Sequence, residues 1–304
     1  MTGILNVYKP QGMTSHAVVS RIRKFYNVHR VGHSGTLDPM ACGVLPVLLG
    51  SATSVQEIIT GHDKKYRAGI LFGKTTDTGD VTGNTLSEST LNFSEKELDE
   101  ILLKFTGEIE QVPPMYSAIK KDGVKLYKLA RRGIEVEREA RKVNIYSIER
   151  KTPLFDNKCE IEVSCSKGTY IRTLAGDVGN ALGCGACLYS LERTQCGRYK
   201  AEDAVKLEYL EELYVKNDVK SLENLLESPE NLFLDKSAVK LEAFYERLAF
   251  NGAEIYIKKA GIPEKLFEKD RLCRIYNEKN RFLAVGELLD FPDGKAVKIK
   301  YRLM

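Results

Sequence analysis

The chain lacks the features of a membrane or secreted protein. No apolar run in its 304 residues approaches the length that spans a membrane. The amino terminus lacks the charged and apolar layout of a secretory signal peptide. The seven cysteines form an odd, scattered set, which is typical of reduced thiols. We therefore expect a cytoplasmic protein with no membrane attachment.

The sequence also lacks the usual cofactor motifs. Neither GxGxxG nor GxxxxGK[ST], the glycine-rich motifs that bind dinucleotides and nucleotide phosphates, is present. Cys184 and Cys187 have the spacing of half a zinc site. No second Cys or His pair follows at a typical interval, and the four histidines lie far upstream. These absences predict a protein that uses no cofactor and no metal.

Charge is present in quantity but is segregated along the chain. The formal net charge is only +4, yet nine basic and four acidic residues lie between Lys120 and Lys142. The sign reverses between Glu202 and Asp235, where ten residues are acidic and three are basic. Such a run is ordinarily a solvated face of the protein. A basic stretch is also the pattern by which proteins bind nucleic acid.

The length and the local patterns predict a large domain followed by a small one. Alternation of apolar residues predicts strands at Ile4–Tyr8, Tyr66–Phe72 and Cys159–Cys165. Helical spacing predicts a helix capped by Ser15, a helix after the capping box of Ser94 and Glu97, and a helix from Ile171 to Gly183. From about Asp235, short alternating runs such as Leu272–Tyr276 predict a small β-rich module.

The most informative stretch is GHSGTLDPMACGVLPV at residues 32–47. It places Asp38 among glycines, prolines and apolar residues, with no cation nearby. Asp followed by Pro is by itself a common turn opener. The whole string, however, resembles the active-site loop of the bacterial tRNA pseudouridine-55 synthases, the TruB family, and departs from it at Ser34, Met40 and Cys42. In that family the Asp of this loop is catalytic, so the resemblance implies that Asp38 is the catalytic residue.

Three further matches to the family follow along the chain. Tyr66 matches a tyrosine that stacks on the target base and is able to move a proton. Arg172 matches an arginine that pairs with the catalytic Asp, and Leu191 matches an apolar side chain that packs on the flipped base. On residue type alone, Tyr66 and Leu191 would be core residues. A cation at a helix start, such as Arg172, is disfavoured unless an anion is near. We expect Arg172 to keep Asp38 ionised by lowering its pKa against the effect of burial.

Other residues are assigned to substrate binding. They are His33, Gly35, Thr36, Lys120 and Lys167. The alternative for His33 is a turn histidine without a part in the reaction. The run at residues 111–120 resembles the family closely, and we expect an insertion near residues 111–142 that binds the T arm of tRNA through its basic residues.

The resemblance implies an α+β fold. A pseudouridine-synthase catalytic domain with a mixed, mainly antiparallel sheet and flanking helices is expected at residues 1–235, and a PUA-like RNA-binding domain at residues 236–304. The implied activity is a cofactor-free isomerisation of uridine to pseudouridine at position 55 of the tRNA T loop, after the base is flipped out. The protein is expected to act as a monomer without an obligatory protein partner.

Two alternatives differ in class from this interpretation. An RNA-binding or tRNA-folding protein would not require Asp38, Tyr66 and Arg172. A guide-dependent pseudouridine synthase of the related archaeal and eukaryotic kind is disfavoured by the basic insertion at residues 111–142, which is suited to tRNA recognition without a guide.

Overall fold

The computed structural model describes all 304 residues. The strands are, in chain order, β1 (Gly3–Lys9), β2 (Val31–His33), β3 (Cys42–Leu49), β4 (Lys64–Phe72), β5 (Lys74–Thr76), β6 (Thr85–Glu88), β7 (Gly107–Gln111), β8 (Lys120–Lys121), β9 (Val124–Lys125), β10 (Arg141–Arg150), β11 (Lys158–Cys165), β12 (Ala186–Cys196), β13 (Tyr199–Lys200), β14 (Val205–Lys206), β15 (Ser237–Lys240), β16 (Ile255–Tyr256), β17 (Leu272–Tyr276), β18 (Phe282–Phe291) and β19 (Gly294–Arg302). The α-helices are α1 (Ser15–Phe25), α2 (Gln56–Thr60), α3 (Glu95–Lys104), α4 (Leu126–Ala130), α5 (Ile171–Ala181), α6 (Leu207–Val215), α7 (Val219–Asn224) and α8 (Ala243–Phe250). Short 3₁₀ helices lie at Gly50–Val55, Pro229–Leu232 and Glu264–Phe267.

A ten-stranded sheet forms the larger part of the protein. Its order is β14-β1-β3-β12-β4-β11-β10-β7, with β2 paired to β3 and β13 paired to β12. Only the β1–β14 and β3–β12 pairs are parallel. The mixed, mainly antiparallel sheet predicted from the sequence is therefore confirmed. Because β12 lies between β3 and β4, residues far apart in the chain meet at the centre of this sheet.

Local sequence signals predict three of the helices near this sheet, which are α1, α3 and α5. The capping box of Ser94 and Glu97 is present at the start of α3. The prediction that Ser15 caps α1 is wrong by one residue, because Thr14 has the extended backbone of an N-cap and its hydroxyl accepts from the Ala17 N–H at 3.1 Å. Ser15 is instead the first helical residue, and its hydroxyl bonds a distant loop.

A five-stranded sheet follows, in the order β15-β17-β18-β19-β16. It confirms the β-rich module that the sequence predicts from about Asp235. Its own core is a cluster of 13 buried residues. A further cluster is shared between the two sheets, since Ile4 and Val44 of the first pack with Val285 and Leu303 of the second. The acidic segment contributes Leu207 and other apolar residues of α6 and α7 to the core beneath β1.

The helices are short. The longest have 11 residues, and none combines the length with the apolar character that crossing a bilayer demands. All seven cysteines are free, and six of them are buried.

The shared core predicts that the two sheets unfold together. Leu303 is 4% exposed in that core, so Leu303→Ala should lower the free energy of unfolding by about 2–3 kcal/mol and shift one cooperative transition in a urea titration. Met304→Ala, at a residue 54% exposed, is the control and should change little. Two separate transitions in the wild-type protein would contradict the prediction.

Candidate active site

Asp38 lies in the loop between β2 and β3, and this loop is pinned to helix α1. The Ser15 hydroxyl accepts from the Leu37 N–H at 2.9 Å and donates to the Leu37 carbonyl at 3.1 Å. The Ala41 N–H closes a turn onto the Asp38 carbonyl at 3.1 Å. Leu37 and its neighbour Met40 are buried in the core. The backbone on both sides of Asp38 is therefore fixed, while 33% of its side chain is exposed.

Arg172, in the first turn of α5, is the partner of Asp38. Its Nε lies 2.8 Å from Asp38 Oδ2. Its Nη1 donates to the Thr78 carbonyl at 2.7 Å, and its Nη2 donates to the Tyr116 carbonyl at 2.7 Å. Arg172 is only 6% exposed, so each of its three nitrogens is satisfied by a different loop. The ion pair that the sequence predicted is present in the structure.

The pKa of Asp38 is set by burial and Arg172 acting in opposite directions. Burial is the largest influence and raises the pKa of Asp38 above its usual value of 3.8. The charge and hydrogen bond of Arg172 and the charge of Lys9 lower the pKa, while the nearby carboxylate of Asp80 raises it. Arg172 thus opposes the effect of burial without outweighing it, because the loop removes most of the water around the carboxylate.

Tyr66 and Leu191 lie on neighbouring strands beside this loop. Leu191 of β12 pairs with Ala68 of β4, two residues along from Tyr66. Both side chains are 7% exposed and belong to the hydrophobic cluster that also contains Leu37 and Met40. Burial raises the pKa of the Tyr66 phenol to about 12. The structure therefore brings Asp38, Tyr66, Arg172 and Leu191 to one region.

The three loop residues predicted to bind substrate share this region. His33 Nδ1 accepts from the Gly35 N–H at 3.2 Å, which orients the ring at the loop entrance. Burial and the charge of Arg193 lower the pKa of His33. Gly35 has a φ of +126°, a conformation that favours glycine, and Thr36 is exposed.

Lys120 and Lys167 are exposed, unlike the buried Tyr66 and Leu191. Lys120 is exposed on the β8–β9 hairpin, and Lys167 is exposed in the turn between β11 and α5. Neither has a carboxylate partner within 4.0 Å. Lys120 follows Tyr116, whose carbonyl accepts from Arg172, and Lys167 precedes α5, the helix that carries Arg172.

The sequence analysis missed Asp80. Asp80 is 4% exposed, and its Oδ1 accepts from the Thr78 hydroxyl at 3.0 Å and from the Thr82 N–H at 2.9 Å. These bonds shape the loop whose Thr78 carbonyl holds Arg172. Gly79 has a φ of +75°, and a Cβ there would lie 3.3 Å from Arg172 Cβ. The sequence signal that could have indicated this loop is the run of Thr and Asp residues around Gly79.

Gln111 was also missed as a positioning residue. It is 2% exposed, at the end of β7. Its Oε1 accepts from the Tyr170 N–H at 3.0 Å, and its Nε2 donates to the Tyr170 carbonyl at 3.3 Å. Because Tyr170 precedes α5, this amide fixes the start of the helix that carries Arg172.

Family models and curated relatives match most of the chain. The model of the TruB family pseudouridylate synthase (N terminal domain) matches residues 23–171, and that of the tRNA pseudouridylate synthase B C-terminal domain matches residues 172–234. The tRNA pseudouridine synthase B of Clostridium tetani (strain Massachusetts / E88) is 43% identical over 94% of this chain and 96% of its own. That of Clostridium perfringens (strain 13 / Type A) is 41% identical over 100% of this chain and 99% of its own.

Solved structures are similar over nearly the whole chain. A chain in the crystal structure of a Cbf5-Nop10-Gar1 complex has a TM-score of 0.70 and 27% identity, covering 99% of this chain and 85% of that one. A chain in an H/ACA RNP bound to a substrate RNA containing 2′-deoxyuridine has a TM-score of 0.68 and 25% identity, with the same coverage.

Removing the Arg172 charge should raise the pKa of Asp38 further. Arg172→Met removes a charge and a hydrogen bond that lower this pKa, while burial remains. The measurement is a ¹³C NMR titration of aspartate carboxyl carbons, with the Asp38 signal assigned by Asp38→Asn. The control is Arg150→Met, which should raise the pKa of its own partner Asp99 and leave Asp38 unchanged. A lower Asp38 midpoint in Arg172→Met would contradict the prediction.

Proposed function

Since the chain belongs to the TruB family of pseudouridylate synthases, as its two family models and its 43% identical relative establish, we propose that it converts uridine to pseudouridine at position 55 in the T loop of tRNA. The reaction breaks the bond between C1′ and N1, rotates the base and rejoins it through C5. Nothing is oxidised or hydrolysed. The observation that carries the proposal is the 2.8 Å contact between Arg172 and a partly exposed Asp38.

In this proposal each central residue has a defined role. Asp38 supplies the carboxylate that acts on the nucleoside, as nucleophile or base. Arg172 holds that carboxylate in place and compensates its charge. Tyr66 stacks on the target base and moves a proton, while Leu191 packs against the ring. The burial of Tyr66 and Leu191 supports a pocket that excludes water once the base is bound.

A uridine in a folded T arm has to leave its stack to reach Asp38, which costs a few kcal/mol. We assign the compensation to the basic segment at residues 120–142. Within it, Arg138 and Lys142 are paired with carboxylates. Seven cations have no carboxylate within 4.0 Å, and these are Lys120, Lys121, Lys125, Lys128, Arg131, Arg132 and Arg141. Unpaired exposed cations are the groups that bind RNA phosphates.

The basic segment is also adjacent to the proposed catalytic pair. The Tyr116 carbonyl, which accepts from Arg172, lies just before it. Helix α4 returns to this point, since the Tyr127 N–H donates to the Ser117 carbonyl at 3.1 Å. Within the segment, Lys125 and Arg131 lie 5.8 and 5.5 Å from the centre of the Tyr127 ring. RNA bound there would therefore lie close to Asp38.

The second sheet is proposed to be a PUA-like RNA-binding domain from residue 236 onward. Two observations support this assignment. The two family models end at residue 234, and the structural similarity to the Cbf5 chain continues through the rest of this chain. The shared core around Val285 and Leu303 would hold such a domain in a fixed position beside the catalytic sheet.

The structural similarity to Cbf5 supports one alternative function, that of a guide-dependent pseudouridine synthase. The solved Cbf5 chain is part of a complex with Nop10 and Gar1, and the related RNP is bound to a substrate RNA. The relatives named tRNA pseudouridine synthase B are more similar in sequence, at 43% and 41% identity. This difference favours a synthase that selects tRNA without a guide RNA.

Purified protein should form pseudouridine at position 55 of an unmodified tRNA transcript, with no guide RNA and with EDTA present. Asp38→Asn should reduce the single-turnover rate by about 10²–10⁴-fold or more, because the reacting carboxylate is lost. Asp156→Asn, at an exposed aspartate, is the control and should be fully active. Because burial raises the pKa of Asp38, the wild-type rate should fall as the pH drops through that raised value.

Two outcomes would contradict this proposal. No product from a folded wild-type protein that binds the transcript would favour a tRNA-folding or guide-dependent role. An undiminished rate in Asp38→Asn would remove Asp38 from the reaction.

The unpaired cations should make tRNA binding strongly dependent on salt. Replacing Lys128 and Arg132 together with Ala should weaken binding and reduce the slope of log Kd against log salt concentration by about 1–2, because each lost phosphate contact removes about one unit. The matched control replaces Lys216 and Lys220, two exposed lysines of the acidic segment, and should leave the slope unchanged. Equal slopes in the wild type and the Lys128/Arg132 variant would place the RNA elsewhere.

A further inference from the structure

Arg193 of β12 is a buried arginine without a carboxylate partner. It is 1% exposed, and no carboxylate oxygen lies within 4.0 Å of it. Its Nε donates to the Val44 carbonyl at 2.7 Å, and its Nη2 donates to the Gly35 carbonyl at 3.2 Å. Buried charges are normally paired with an opposite charge, because removing them from water is costly. Arg193 departs from that rule beside the proposed active site.

The surroundings of Arg193 do not supply the missing negative charge. The charged or titratable groups that act on it or on its neighbour Tyr66 are Lys9, His33, Lys64, Cys165 and Cys196. Lys9 and Lys64 are themselves buried and donate to backbone carbonyls, for example to Met13 at 2.6 Å and to Thr60 at 2.9 Å. Asp38 and Asp63 act on Lys9 and Lys64 beyond contact distance, but no carboxylate lies within 4.0 Å of Arg193.

The group directly opposite Arg193 is Tyr66. The two residues are partners in the antiparallel β4–β12 register. Side chains at such positions point to the same face of the sheet, with Cβ atoms about 4.5–5.5 Å apart. Burial raises the pKa of Tyr66 to about 12, while the charge of Arg193 lowers that pKa. A phenol that loses its proton here would supply the negative charge that Arg193 lacks.

We propose that Arg193 is a positioning residue that acts through Tyr66: its guanidinium orients the Tyr66 hydroxyl and stabilises negative charge on the phenol oxygen. The inference rests on the proposed function, in which the Tyr66 hydroxyl gives its proton to N1 as the C1′–N1 bond breaks and takes the C5 proton after the C1′–C5 bond forms, so that the phenol oxygen is negative between these two steps. Arg193 keeps its own protons throughout, because an arginine does not deprotonate in proteins. Its bonds to Gly35 and Val44 fix the loop of Asp38 in the same geometry.

The direct test places 3,5-difluorotyrosine at position 66 of the full chain. The fluorines lower the intrinsic pKa of the phenol, and ¹⁹F NMR follows its ionisation while the protein stays folded. Arg193→Met should raise the titration midpoint by about one pH unit or more, because a nearby positive charge is lost. Arg193→Lys, which keeps the charge, should lie closer to the wild type. Difluorotyrosine at Tyr146, an exposed tyrosine that donates to Asp63, is the control and should not shift with Arg193→Met.

Equal midpoints at position 66 in the wild type and in Arg193→Met would overturn the proposal. If Arg193→Met does not fold, the wild-type protein provides the test through ¹³Cζ-labelled arginine. The Arg193 resonance, assigned in Arg193→Lys, should move with the same midpoint as the fluorotyrosine at position 66. An Arg193 resonance that does not respond when that phenol ionises would equally overturn it.

Kinetics separate positioning from a purely structural role. In Arg193→Met the single-turnover rate should fall and its pH dependence should move to higher pH, while the Kd for tRNA stays within twofold of the wild type. A structural role would lower the rate by the same factor at every pH, and that result counts against the proposal. If the wild-type protein forms no pseudouridine, the proposed function fails, yet the fluorine titration still decides whether Arg193 stabilises the Tyr66 phenolate.

Discussion

The guanidinium of Arg172 is the point at which the separate parts of the site are joined. Its three nitrogens bind the Asp38 carboxylate, the Thr78 carbonyl and the Tyr116 carbonyl at 2.7–2.8 Å. Removing one partner of a buried ion pair costs about 3–5 kcal/mol, because the other charge is left uncompensated. The loops that carry these three partners are therefore held in mutual register by one side chain, and the geometry around Asp38 depends on all of them.

The balance of buried charge gives this region its electrostatic character. Four basic side chains are buried in the protein, namely Lys9, Lys64, Arg172 and Arg193, against one buried acidic side chain, Asp80. Arg172 is paired with Asp38, whereas Lys9, Lys64 and Arg193 donate to backbone carbonyls, which satisfy their hydrogen bonds but do not cancel their charge. The resulting positive potential favours anions at the site, both the phosphates of an RNA and negative charge that develops during a reaction.

The site is also coupled to the surfaces proposed to bind RNA. The Tyr116 carbonyl accepts a hydrogen bond from Arg172, and the basic segment at 120–142 begins a few residues later. Helix α4 of that segment is bonded back to the same place, because the Tyr127 N–H donates to the Ser117 carbonyl. Movement of that segment on RNA binding would act directly on the environment of Asp38. On the other side, the core shared with Val285 and Leu303 ties the second sheet to β3, which follows the Asp38 loop.

The sequence by itself determined several local elements and pointed to four residues that the structure brings together. Capping and periodicity were sufficient for α3, β4, β11 and β17, since these signals are local. Motif resemblance was sufficient for Asp38, Tyr66, Arg172 and Leu191, because each stands in a short string of its own. The tertiary structure decided the burial, the hydrogen-bond partners and the charged neighbours of these residues. Burial and contacts between distant segments raise the pKa of Asp38 and leave Arg193 without a carboxylate partner. They also explain the two carbonyls that bind Arg172 and the role of Asp80. Local sequence does not encode such effects.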